Sequence, residues 1–385
     1  MTDVIIAGIG QTEVGEHWEI SLRELALKAI EAAMEDAHGI QPGALLVSNM
    51  LAPMISGQAH LGALIADFAG MAGIEATCIE GAGASGGLAL RQAYLMILAG
   101  ACESALVIGV EKMTDQIGST VESAISSGID SDFEAIQGLT PTAQAALLMR
   151  RYMHEYQVER EAFAGFPLIA HANGEGNPHA MYRKAISFTA YQRAGVVSDP
   201  LNIYDVAPVA DGAAAVLLTR RDLLPPKFSH PLIRISGSSS VSDSLALHDR
   251  ADPLYFRAAR LSVERACRQA GILPGDVDLF ELYDAFSIYS VLTLEAAGFA
   301  PRGQGWKLAQ DGTLALGGKM PFATLGGLKA RGNPGGATGV YQVIEAVLQL
   351  RGQAGVNQIR DARLALVQSL GGPAATAVTH VLEAI

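Results

Sequence analysis

The stretch GAGASGG, Gly81–Gly87, runs straight into the helical sequence LALRQAYLMILAG. A glycine-rich turn ahead of a helix aims free backbone N–H groups, and the positive end of the helix dipole, at whatever it presents. The presented position here is Gly83, which has no side chain. A second turn of the same kind, GNPGGATG (Gly332–Gly339), opens another helix. Reactive groups must come from elsewhere, and three tyrosines are candidates: Tyr341 just after the second turn, Tyr283 within ELYDAF and Tyr289 six residues later. A phenol removes a proton only if its pKa, about 10, is lowered, and the nearby helix N-termini are expected to lower it.

The elements that must position these groups alternate along the chain. VIIAGIG, ALVIGVEKM, AAAVLLTRRD, LIRISGS, VDLFELYDAF and RLALVQSLGG read as strands. SLRELALKAIEAAMEDA, LALRQAYLMILAG, FRAARLSVERACRQAG and YQVIEAVLQLRGQAG read as helices, so the fold class is α/β. The chain also repeats itself. GIQPG and GILPG each follow a helix and precede an apolar run, Ala84-Ser85-Gly86 parallels Ala337-Thr338-Gly339, and SALVIGVE parallels LALVQSLG. Three matched pairs in one order imply a duplicated unit. The first half is expected over residues 1–220 and the second over 221–385, with RRDLLPPKFSHP as the connection. A region inserted at about 114–200 is richer in polar and aromatic residues and suits substrate binding.

The 385 residues are 50 % hydrophobic and 17 % charged, enough for a large buried core. A net charge of −12 argues against nucleic acid, and no apolar run is long enough for a membrane span. The three cysteines, Cys78, Cys102 and Cys267, suit a reducing cytoplasm and read as small buried hydrophobes. Neither they nor the nine histidines show metal-ligand spacing, so no metal is expected.

In this order the motifs resemble the thiolase superfamily, and within it the sterol-carrier-protein-type thiolases, over nearly the whole chain. GASGGLAL resembles the family's nucleophile turn, GACESALVIGVEKMTD its next helix and strand, and DVAPVADGAAAVLL its strand entering the second half. ELYDAF stands where the family has a His-Asp-Cys-Phe box, GGLKARGNPGGATG where it has Gly-His-Pro, and QSLGGPAAT at its closing glycine loop. The resemblance implies a five-layered αβαβα fold of two similar halves and a homodimer or tetramer. It implies a CoA thioester as substrate with no tightly bound cofactor, a place in lipid metabolism, and a possible zinc-ribbon/OB-fold partner protein.

Thiolase chemistry uses a cysteine nucleophile with a His/Cys acid–base pair. Residue by residue, the matching positions here are Gly83, Tyr283, Ala285 and Asn333, with Ser369 where other thiolases carry the second cysteine. The resemblance therefore implies a family member with no acyl-enzyme at position 83. What remains are backbone N–H groups at Gly83, Gly335, Gly371 and Gly372, suited to holding a thioester oxygen as it becomes an enolate. The likeness shifts toward the thiolase-like aldolases of steroid side-chain degradation, which cleave a β-hydroxyacyl-CoA by a retro-aldol step. Tyr283, Tyr341, Asn333 and Tyr289 are then the candidate catalytic residues, and Asp284 is a structural acceptor. His171, Asn173 and Ser85 are substrate-binding candidates, while Lys329 and Arg331 are either CoA phosphate contacts or solvated loop charges. Two other readings stay open: a degenerate acyl-CoA-binding or scaffold subunit, and acyl transfer on a non-standard nucleophile such as Ser85. Gly83 itself is expected to leave room for a bulky acyl group.

Overall fold

The computed structural model describes residues 3–385. Nine strands form a single sheet and two a small hairpin. In chain order the strands are β1 (Val4–Gln11), β2 (Ala44–Ser48), β3 (Glu75–Ile79), β4 (Ser104–Glu111), β5 (Val196–Ser198) and β6 (Leu201–Asn202). They continue as β7 (Gly212–Arg220), β8 (Ile233–Ser242), β9 (Leu279–Glu281), β10 (Leu364–Gly371) and β11 (Thr376–Ala384). The sheet order is β3-β2-β4-β7-β1-β8-β11-β10-β9, and β5 pairs with β6. The order reads outward in the same way from the β1–β8 seam, so β8, β11, β10 and β9 repeat the places of β1, β7, β4 and β2. At that seam only Ile5 and Arg234 are paired.

Strands such as β4 (SALVIGVE) are buried along their whole length, as continuous apolar runs are when helices cover both faces. The Leu22–Asp36 helix begins at a capping box, in which Ser21 and Glu24 satisfy each other's backbone N–H groups. It packs outside β1, β4 and β7, while the Arg257–Ala270 helix packs outside β8 and β11. Between these layers lie the Ser85–Leu98 and Thr338–Leu350 helices, each touching strands of both halves. The two central helices meet backbone to backbone. A Cβ on Gly86 would lie 2.7 Å from Val340 N, and one on Gly339 would lie 2.6 Å from Gly87 N. The five-layer αβαβα expectation holds, and the glycines that keep these helix starts in contact bring the two turns to one place.

Two local readings are corrected. The run VDLFELYDAF forms a strand only over Leu279–Glu281. Its continuation leaves the sheet, because Ala207 N–H donates to Ala285 O (2.8 Å) and Phe286 bridges Val206 instead. Cys78 is exposed on edge strand β3, and only Cys267 is fully buried. No helix among the described residues is long and apolar enough to cross a membrane.

Candidate active site

The two glycine turns, the end of β9 and the closing loop after β10 surround a cavity of ≈ 120 Å³. Gly83, Gly335, Gly372, Tyr283, Tyr289, Ala285 and Asn333 border it, and Met50, Leu51, Met113, Ile129 and Phe286 supply apolar wall. Each turn is a short 3-10 segment feeding a central helix, Ala82–Ala84 before Ser85 and Gly335–Ala337 before Thr338. The N–H groups of Gly83, Gly335 and Gly372 have no acceptor among the described residues. They are thus free to receive an oxygen. Gly371 is paired with Thr376 in the β10–β11 ladder, and a Cβ there would strike Gly81 O at 2.6 Å.

Tyr283 covers the first turn. A Cβ on Gly83 would lie 2.2 Å from Tyr283 Oη and 2.6 Å from Leu370 O. The space above Gly83 is filled by the phenol, which corrects the expectation of room for a bulky acyl group. Burial pushes the Tyr283 hydroxyl up to about 12, with Asp284 adding to the shift, and the Asn333 amide and Arg331 working against it. This reverses the lowering expected from the helix N-termini: Tyr283 is a neutral phenol. Asn333 is fixed from behind, because Thr338 Oγ1 donates to its Oδ1 at 2.8 Å and its own N–H donates to Pro208 O at 3.0 Å. Its Nδ2 is left for the Tyr283 side.

Tyr289, on the Ser287–Ala296 helix, is 2 % exposed, with its ring edge-on to Phe286 and Phe256. Its hydroxyl has no partner among the described residues, and burial raises its pKa. An unmatched buried hydroxyl on a cavity wall is costly unless a ligand satisfies it. Tyr341 lies elsewhere. Its Oη donates toward Ala213 O (2.9 Å) and Thr12 O (3.2 Å) and lies 3.1 Å from Thr12 Oγ1, which ties the second central helix to β7 and to the residue just after β1. Tyr341 does not line the cavity.

The remaining candidates are also dispersed. Ser85 Oγ accepts from Gly81 N–H (3.0 Å) and donates to Ala82 O (2.6 Å), inside its own turn. Ser369 Oγ donates to Gln342 Oε1 (3.0 Å). Asn173 Nδ2 donates to Ala323 O (3.0 Å), an internal tie. His171 borders a second cavity of ≈ 820 Å³, which shares Val206 and Ala207 with the first. Burial, with the nearby Lys329 charge, pushes its imidazole down to about 4, so it is neutral. Lys329 also faces this second cavity while donating to Asp205 O at 2.7 Å. Arg331 is fully buried against Glu345 (2.9 Å), and Asp284 accepts from Leu328 N–H (2.7 Å). Arg331 is thus neither a phosphate contact nor a solvated charge.

One buried acid was missed from the sequence. Glu111, the last residue of β4, accepts four N–H groups beneath the cavity. Its signal was a carboxylate closing an otherwise apolar strand. Burial raises it to about 7, held down by those same N–H groups.

The model of the thiolase N-terminal domain matches residues 4–222, and that of the thiolase C-terminal domain-like region matches residues 239–384. An acetyl-CoA acetyltransferase of Methanothermobacter thermautotrophicus is 39 % identical over all of both chains. Sterol carrier protein 2 of Bos taurus is 30 % identical over 80 % of this chain and 59 % of its own length. The solved Ltp2-ChsH2(DUF35) aldolase superposes with a TM-score of 0.84 at 25 % identity, covering 99 % of this chain and 98 % of that one. The chain belongs to the thiolase family, with sterol-carrier-type relatives.

Proposed function

We propose that this protein breaks or makes a carbon–carbon bond beside the carbonyl of a CoA thioester, through an enolate and without an acyl-enzyme. The observation that carries the reading is the Tyr283 hydroxyl seated over Gly83, where a nucleophilic side chain would have to start. In the cleavage direction the substrate is a β-hydroxyacyl thioester. The Gly83, Gly335 and Gly372 N–H groups receive the thioester oxygen as negative charge builds on it. The Cα–Cβ bond breaks, its electron pair forms the enolate, and Cβ becomes a carbonyl carbon. Tyr283 passes its own proton to Cα as it takes up the β-hydroxyl proton, so a phenol that is neutral at rest ends neutral. Asn333 Nδ2 supports the phenol oxygen during the exchange, and Tyr289 hydrogen-bonds the β-oxygen. The second cavity, bordered by Arg183, Lys184 and Lys329 and by no carboxylate, supports binding of the CoA arm there.

The name of the 39 % identical relative favours a second reading, acetyl transfer. Ser85 as the nucleophile is disfavoured by its hydroxyl being engaged within its own turn. Exposed edge strand β3 supports self-association, and the likeness to the Ltp2-ChsH2(DUF35) aldolase supports a partner protein of the DUF35 kind. The test is incubation with 3-hydroxyacyl-CoA thioesters, with the released aldehyde or ketone trapped as a hydrazone. Tyr283→Phe is expected to lower the rate roughly 10²–10⁴-fold with an unchanged fold. Full activity in that variant would remove the mechanism.

A further inference from the structure

Glu111 connects the two sides of the cavity. Its Oε1 accepts from Asn49 Nδ2 (2.8 Å) and Leu51 N–H (3.0 Å), and its Oε2 from Met50 N–H (2.8 Å) and Gly336 N–H (2.9 Å). Met50 and Leu51 border the cavity from the first half of the chain, and Gly335 borders it from the second. The carboxylate is 1 % exposed. Three backbone N–H groups and one amide take the place of a cation, an arrangement available only to an acceptor with two equivalent oxygens. The backbone has closed around it. Gly335 has φ +42°, a Cβ there would lie 2.9 Å from Glu111 Oε2, and a Cβ on Gly336 would lie 2.7 Å from Met50 N.

We infer that Glu111 is a positioning residue for thioester recognition: its carboxylate fixes the Gly335–Ala337 turn against Met50–Leu51, so that the free Gly335 N–H faces the substrate carbonyl. It touches no substrate atom and acts through the turn. The inference rests on the reading that this N–H meets the thioester oxygen. Glutamine is the sharp substitution. Each carboxylate oxygen holds two N–H donors, so either orientation of the amide puts an NH₂ group against two of them.

The experiment uses two unreactive CoA analogues of one chain length: a ketone in which CH₂ replaces the thioester sulfur, and a thioether with no carbonyl. Dissociation constants are measured for wild type, Glu111→Gln and Asn49→Ala, the last removing one donor to Glu111, together with the Asn49 bonds to Val110 O and Ala52 N–H, and leaving the carboxylate. Wild type is expected to prefer the ketone by tenfold or more. Glu111→Gln is expected to lose that preference with thioether affinity unchanged, and Asn49→Ala to lose two- to fivefold of it. Should Glu111→Gln not fold, full preference in Asn49→Ala overturns the inference and partial loss supports it. Equal weakening of both analogues, or a preference retained in Glu111→Gln, also overturns the inference. A wild type without any preference overturns the carbonyl-binding reading itself.

Discussion

The two glycine turns occupy equivalent places but are held in different ways. The first is self-contained: Glu80 Oε1 accepts from Ala82 N–H (2.6 Å) and Ser85 closes the rest. The second depends on the other half of the chain, with Glu111 reaching Gly336 across 225 residues. The first turn is capped by a phenol and the second carries the amide that steadies that phenol. One repeated backbone unit has thus been divided into a floor that tolerates no side chain and a wall that supplies polar groups.

The largest effect separates two tyrosines that look alike in sequence. Beside the turnover loss expected for Tyr283→Phe, Tyr341→Phe is expected to leave turnover within about threefold and to cost about 1–2 kcal/mol of stability, since it removes the phenol's hydrogen bonds to the Ala213 and Thr12 carbonyls. Urea unfolding and a turnover assay on both variants check this. Comparable turnover losses would place Tyr341 in the chemistry.

Next comes the floor. Gly83→Ala is expected to cost roughly 1–3 kcal/mol through overpacking against Tyr283 and Leu370. Its cost should fall in a Tyr283→Ala background, though not to zero, because the Leu370 carbonyl remains. A double-mutant cycle measures that coupling. Strict additivity would mean that the phenol does not sit on the glycine.

Tyr289→Phe should behave in the opposite sense. Removing an unpartnered buried hydroxyl is expected to leave the melting temperature unchanged or slightly raised, while kcat/KM falls about tenfold. A drop in melting temperature with normal kcat/KM would reassign the hydroxyl to the core.

The smallest effect is in pH. With the Tyr283 phenol raised from 10.0 to about 12, kcat/KM is expected to show no tyrosine break near pH 10. The sign for stability follows: the neutral phenol is the favoured folded form, so its contribution is whole below pH 10 and is lost as pH rises through 12. A rate rising through a depressed tyrosine pKa would make Tyr283 a resting phenolate base instead.

Much of the frame was legible because it is local. The helical run SLRELALKAIEAAMEDA, the apolar strands and each of the two glycine turns are written within one short stretch of sequence. The residues bordering the candidate cavity were legible only where one motif carries them, as with Gly83, Tyr283 and Asn333. Tyr341 misled because its position beside a turn says nothing about which face of a fully buried helix it occupies. Glu111 was missed because its donors lie 60–62 and 225 residues away. The direction of the Tyr283 shift was misjudged because desolvation outweighs nearby dipoles once a phenol is buried.

Enolate chemistry without an acyl-enzyme can be watched in turnover of a 3-hydroxyacyl-CoA in D₂O, with products and intact protein followed by mass spectrometry. The expected result is a shorter acyl-CoA carrying one deuterium at Cα, an aldehyde or ketone partner, and a protein of unchanged mass throughout. A protein carrying the acyl group during turnover would contradict it.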